Sequence, residues 1–123
     1  MTLAGPHRDD LRFLVDGLDM WRFGSRGQQR LVALSLRLGE AELLRQRRGE
    51  EPVLLLDDAL SELDGPHRDH VLASIHGRGQ VLITATDLQP FPPEFLEGAN
   101  RFRVVEGRVE GQRPPAVPAA GGP

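Results

Sequence analysis

Apolar residues change their spacing along this chain, and each change marks an element. Leu31, Leu34, Leu38 and Ala41, with Leu44 close behind, recur at intervals of three and four and so share one helical face. Arg30, Arg37, Glu40 and Arg45 fall largely off that stripe, and Gly49 supplies the positive-φ residue that ends a helix. The pattern predicts one long helix from about Ser25 to Arg48. Before it, Leu11, Phe13 and Val15 alternate with Arg12, Leu14 and Asp16, which fits a strand better than a helix, and Gly17 offers a turn. Gly5-Pro6 is a further turn signal.

After Pro52 the four apolar residues Val53 to Leu56 run without alternation, the habit of a strand buried on both faces in a parallel sheet. Pro66 suits the first turn of a helix that runs through Val71, Leu72 and Ile75 to Gly77. Gln80 to Ala85 reads as the next strand. Pro90, Pro92 and Pro93 argue against regular structure nearby, and Phe102 to Val105, Gly107 and Val109 outline a terminal hairpin. The order of strand, helix, strand, helix, strand and hairpin describes half of an α/β domain. It spans residues 1–112, followed at 113–123 by a Pro/Ala/Gly tail whose composition predicts disorder. Gly5-Pro6-His7-Arg8-Asp9 recurs as Gly65-Pro66-His67-Arg68-Asp69, but the flanking periods differ, and the echo is read as coincidence.

Composition narrows the chemistry. The 123 residues allow one small domain at most. Cys is absent, which excludes disulfides, thiolate metal sites and a Cys nucleophile. All 15 basic residues are Arg; without Lys the chain by itself can supply neither a P-loop lysine nor a Schiff base. The net charge of −3 gives no global pull toward nucleic acid or anionic lipid. The longest purely apolar runs, Val53 to Leu56 among them, are four residues, far short of the roughly 20 residues of a membrane helix, so a cytoplasmic chain without membrane partners is expected.

Two places carry candidate chemistry. Asp57 and Asp58 follow the apolar strand at its C-terminal end, where α/β sheets bind ligands. Asp57 is placed to help hold Mg²⁺, a hard cation usually held by one or two carboxylates with waters and phosphates, and Asp58 to orient or deprotonate a water. The same pair also suits a solvated turn that caps the next element. At the head of the long helix, Ser25-Arg26-Gly27-Gln28 offers free N–H groups, a hydroxyl and a glycine to an anion. Ser25 with Gln28 three residues on is equally a capping box. Weaker candidates are His67 with His70 as a metal pair, against a solvated surface, and the basic knot of Arg45, Arg47 and Arg48. That knot suits a helix C-terminus and also DNA phosphates. Trp21 and the phenylalanines lack the basic interleaving of a single-strand stacking platform.

Taken in order, Ser25-x-Gly27-Gln28-Gln29, a helix, four apolar residues, Asp57-Asp58 and Ser61-Glu62-Leu63-Asp64 resemble the signature motif, Walker B and D-loop of an ABC-type ATPase head. The match is closer to the RecF family of bacterial DNA replication and repair proteins. Gly5 to Asp10, Phe23 to Arg30, Leu54 to Asp64 and Ile83 to Asp87 are similar to RecF segments in RecF order, covering about residues 2–110. Transporter heads are similar only at the central motifs and normally carry Glu at the position of Asp58 and His at that of Thr86.

The resemblance implies the C-terminal half of an ABC-type head, with a mostly parallel sheet, flanking helices and a terminal β-hairpin. It implies that Asp57 helps hold Mg²⁺ and that Asp58 stands at the catalytic carboxylate. Ser25, Gly27 and Gln28 would contact the γ-phosphate of ATP on a second subunit, Ser61 and Asp64 would line the D-loop dimer interface, and Thr86 would fill the switch position. RecF-like proteins carry a Walker A loop and a Q-loop upstream, and neither has a match in this chain, which therefore resembles the C-terminal third of such a protein. The implied function is an ATP-dependent, DNA-binding clamp-type ATPase that assists recombinational repair at gapped DNA and the SOS response. The implied partners are single-stranded or gapped DNA, an ATP-dependent homodimer and other recombination mediators. ATP and Mg²⁺ would bind only with the missing N-terminal portion, so this chain alone is expected to be inactive. The alternative is a non-catalytic dimerisation module that lacks the nucleotide pocket.

Overall fold

A computed structural model describes residues 10–112. The Gly5-to-Asp9 segment and the tail lie outside the described residues. The chain divides into two compact units, Met1–Thr86 and Asp87–Pro123.

In the first unit, β1 (Leu14–Val15) and β2 (Leu18–Asp19) form a short antiparallel hairpin. Asp16 (φ 51°) and Gly17 (φ 78°) make its turn, the left-handed pair a two-residue hairpin requires. The strand expected over Leu11–Val15 is therefore reduced to its last two residues. Helix α1 (Met20–Phe23) comes next, capped by the Asp19 side chain, which accepts from Trp21 N at 3.0 Å. This single turn has no periodicity of its own, so sequence patterning does not reveal it.

Helix α2 (Arg26–Arg48) begins and ends where the pattern places it. Ser25 Oγ accepts from Gln28 N at 3.1 Å, and Gln28 Oε1 accepts from Ser25 N at 2.9 Å, closing a full capping box. Gly49 at φ 70° terminates the helix in the left-handed conformation. Strand β3 (Leu54–Asp57) pairs in parallel with β4 (Val81–Thr84), Leu54 opposite Val81 and Asp57 opposite Thr84. Between them runs α3 (Gly65–Ile75), with Asp64 as its N-cap and Pro66 in its first turn. Buried apolar side chains come from every helix of this unit and from β3: Met20, Leu34, Ala41, Leu54, Leu56, Val71, Leu72 and Ile75, joined by Leu60 and Leu63 of the connecting turn.

Two expectations change here. The β3 strand is not buried on both faces: Leu54 and Leu56 are inside, whereas Val53 and Leu55 are exposed, Leu55 to 72%. Nor is there a broad parallel sheet. The described residues hold three two-stranded sheets, and only β3–β4 is parallel. The α/β character stands; among the described residues no element packs over the face of β3 that carries Val53 and Leu55.

In the second unit, α4 (Pro93–Glu97) forms despite the prolines, because Pro93 occupies the first turn, where no helical N–H bond is lost. Phe91 stacks on Phe95 with ring centroids 5.8 Å apart. Strands β5 (Arg101–Val105) and β6 (Arg108–Gln112) form the expected hairpin through Glu106 and Gly107, both at positive φ.

Candidate functional site

The parallel register sets Asp57 beside Thr84, at the C-terminal ends of β3 and β4. Thr84 Oγ1 donates a short hydrogen bond to Asp57 Oδ1 and accepts from Asp58 N at 2.9 Å. Among the described residues no donor reaches Asp57 Oδ2. Asp58 stands just past the strand with φ 47°, a left-handed conformation that Asp tolerates better than most residues. Its N–H also reaches the Thr84 carbonyl at 3.2 Å. Its own carbonyl accepts from Arg30 Nη1 at 2.8 Å and from Ser61 Oγ at 3.3 Å.

Arg30 lies in the second turn of α2, so this contact brings the head of the long helix to the end of β3. Its Nε also pairs with Glu62 at 3.3 Å. The approach is close: a Cβ on Gly27 would stand 2.8 Å from the Glu62 carbonyl oxygen. Gly27 is thus required by the chain's own packing, whatever else approaches its backbone. Gly27 and Arg30 of the α2 head thus meet Asp58, Ser61 and Glu62 of the turn after β3, about 30 positions downstream.

The capping box does not exhaust Ser25. Its oxygen accepts from Gln28 N, and its hydroxyl proton remains available to donate. The Gln28 carboxamide accepts through Oε1, which leaves its NH₂ free. The two roles open to this helix start, cap and anion site, are therefore chemically compatible.

Asp64 accepts from His67 N at 3.0 Å and meets His67 Nδ1 at 2.7 Å. The backbone hydrogen bond from His67 is the first cause holding its carboxyl below the usual carboxylate range. His67 is engaged by this cap rather than paired with His70, and no cluster of three or more metal-ligating side chains occurs among the described residues. A caged metal is therefore not built here. Asp57 and Asp58 do fit Mg²⁺, which takes one or two carboxylates and leaves the rest of its shell to water and phosphate.

Two candidates stand apart. Thr86 is exposed beyond β4, with no side-chain hydrogen bond among the described residues. Arg45, Arg47 and Arg48 lie at the far end of α2, roughly 30 Å away at 1.5 Å per residue. Arg45 is spoken for: it pairs with Glu42 at 2.5 Å and Glu51 at 3.7 Å. Its hydrogen bonds hold the Glu42 carboxyl down at about 2. Arg47 and Arg48 are exposed. Thr84 and Arg30 are the site residues that motif reading does not single out. Thr84 is discoverable only from the β3–β4 register, and Arg30 only from a contact 28 positions away.

No family model matches the chain. The chain is 59% identical over 109 residues to the DNA replication and repair protein RecF of Chloroflexus aurantiacus, covering 88% of itself and 28% of that protein. It is 50% identical over 109 residues to the RecF of Bacillus subtilis, covering 89% of itself and 30% of the relative. Two solved structures of the recombination mediator protein RecF in the RecFOR pathway, RecF-ATPrS and RecF-ATP, superpose with TM-scores of 0.60 and 0.61 at 35% and 36% identity. Both cover 91% of this chain and under a third of the solved one. The chain thus spans less than a third of the relatives it matches, and the resemblance read from its motifs holds over their C-terminal part. No helix among the described residues is long and apolar enough to cross a membrane.

Proposed function

We propose that this chain is the C-terminal lobe of a RecF-type DNA replication and repair ATPase, acting in the cytoplasm on gapped or single-stranded DNA with other recombination mediators. The observation that carries this reading is the junction of the α2 head with the Asp57–Asp58 turn through Arg30. It sits in a chain whose relatives at 50–59% identity bear the RecF name. In this reading the lobe presents two surfaces. Asp57 and Asp58 face ATP bound by the remainder of the same protein, where Asp57 helps hold Mg²⁺ and Asp58 orients the attacking water. Ser25, Gly27 and Gln28 face the γ-phosphate of ATP on a second subunit, with Ser61 and Asp64 along the junction and Thr86 at the switch position. Asp57, with Asp58 beside it, would hold Mg²⁺, which would supply positive charge against the developing negative charge of the phosphates. What the chain itself contributes is position: carboxylates fixed at a strand end, and a helix start with free donors. DNA phosphates would meet Arg47 and Arg48 in preference to Arg45, whose charge is already paired.

The test uses a hybrid in which this chain replaces the matching segment of the Chloroflexus aurantiacus relative. The hybrid is expected to hydrolyse ATP, and Asp58→Asn to lose at least ~100-fold in turnover, the lower end of what a positioned general base contributes, while ATP binding stays within two-fold. Asn tolerates the left-handed backbone as Asp does, so the change removes the charge and little else. Unchanged turnover would remove Asp58 from the chemistry.

A further inference from the structure

We propose that Thr84 is a positioning residue for the carboxylate pair: its hydroxyl fixes the Asp57 side chain and the Asp58 amide together, so that Asp57 presents one oxygen outward for metal–nucleotide binding. This rests on the reading of Asp57 as a Mg²⁺ holder. One hydroxyl makes two bonds of opposite sense, donating to Asp57 Oδ1 and accepting from Asp58 N. A hydroxyl can do both at once because it carries one proton and two lone pairs. The donated bond occupies Oδ1 and leaves Oδ2 without a donor among the described residues, so the carboxylate has one engaged and one open oxygen.

The geometry comes from the fold. The parallel register places Thr84 directly opposite Asp57, and a β-branched side chain on a strand has few rotamers to choose from. The accepted bond reaches the residue at φ 47°, where the chain leaves the strand. Arg30 holds the other side of that residue through its carbonyl. Asp58 is thereby gripped at N–H and C=O by β4 and α2 respectively. Groups that hydrogen-bond a metal-holding side chain orient it and tune its affinity.

The test is made on the same hybrid, with Thr84→Val and Thr84→Ser. Val keeps the shape and strand preference and removes the hydroxyl; Ser keeps the hydroxyl. Binding of a fluorescent ATP analogue is titrated against Mg²⁺. Thr84→Val should raise the half-saturating Mg²⁺ concentration about ten-fold, the lower range for loss of such a partner. Thr84→Ser should stay within two-fold of the parent. Thermal unfolding without Mg²⁺ or nucleotide separates this from general destabilisation, and Thr84→Ala against Thr84→Ser makes the same comparison if the Val variant aggregates. Equal Mg²⁺ midpoints for Val and parent, or equal shifts for Val and Ser, would overturn the proposal while leaving the ATPase reading intact. Nucleotide binding by the parent hybrid without any Mg²⁺ dependence would overturn both.

Discussion

A methyl group on Gly27 would stand 2.8 Å from the Glu62 carbonyl oxygen, a backbone atom with little freedom to retreat. Two effects compete there. Ala in place of Gly in a helix gains about 1 kcal/mol of propensity, and over-packing costs about 1–3 kcal/mol. The steric cost prevails because the opposing atom belongs to the main chain of the turn that Arg30 also grips. Gly27→Ala in the hybrid is therefore expected to lower the thermal unfolding midpoint without any nucleotide, by an amount corresponding to about 1 kcal/mol. An unchanged midpoint, with defects confined to nucleotide-dependent behaviour, would show that the glycine serves only an incoming phosphate. Reading the sequence locally finds Gly27 and supplies one reason for it. The second reason lies 35 positions downstream (62 − 27), where no local pattern points. Arg30 and Thr84 escape notice on the same ground, since an Arg on a helix and a Thr ending a strand are ordinary until the partner element is in place.

At the scale of elements, the legible features are those decided within a few residues. The bounds of α2 follow from its apolar stripe, the Ser25–Gln28 box and Gly49, all local. The terminal hairpin forms as expected, through Glu106-Gly107, and the turn offered at Gly17 closes β1 on β2, a hairpin the pattern does not predict. Two readings fail, each for a physical reason. The uniform run Val53 to Leu56 suggests burial on both faces, but burial needs an element packed over each face, and among the described residues nothing covers Val53 and Leu55. Prolines 90, 92 and 93 read as breakers, yet Pro93 sits where a helix start has no bond to lose. The capping box allows a direct test. Ser25→Ala should cost about 1 kcal/mol of stability and, if the hydroxyl also serves a partner's phosphate, should weaken ATP-dependent association of the folded hybrid as well. Loss of stability alone, with association per folded molecule unchanged, would leave Ser25 as a cap and nothing more.

The described residues leave many large apolar side chains uncovered. Val53, Leu55 and Leu82 are exposed at 53%, 72% and 49%, and a cavity of about 710 Å³ opens between α2 and β3, lined by Leu34, Leu38, Ala41, Leu44 and Leu54 among others. Parallel sheets are ordinarily covered on both faces, and this two-stranded one is not. By itself the 123-residue chain is expected to associate at micromolar concentration and to bind no ATP with micromolar affinity; a dilute monomer with a sharp cooperative melt would contradict this. Within the complete protein we propose, the same lobe works across a subunit junction. Ser25→Arg tests it most directly, since it sets a bulky cation at the helix start and removes the free hydroxyl. Sedimentation of the hybrid with saturating ATP and Mg²⁺ should show dimer for the parent and for Asp58→Asn, but monomer for Ser25→Arg, with ATP affinity within two-fold for all three. Equal loss of ATP binding in Ser25→Arg and Asp58→Asn would contradict the account, because both side chains would then act in one subunit's own pocket.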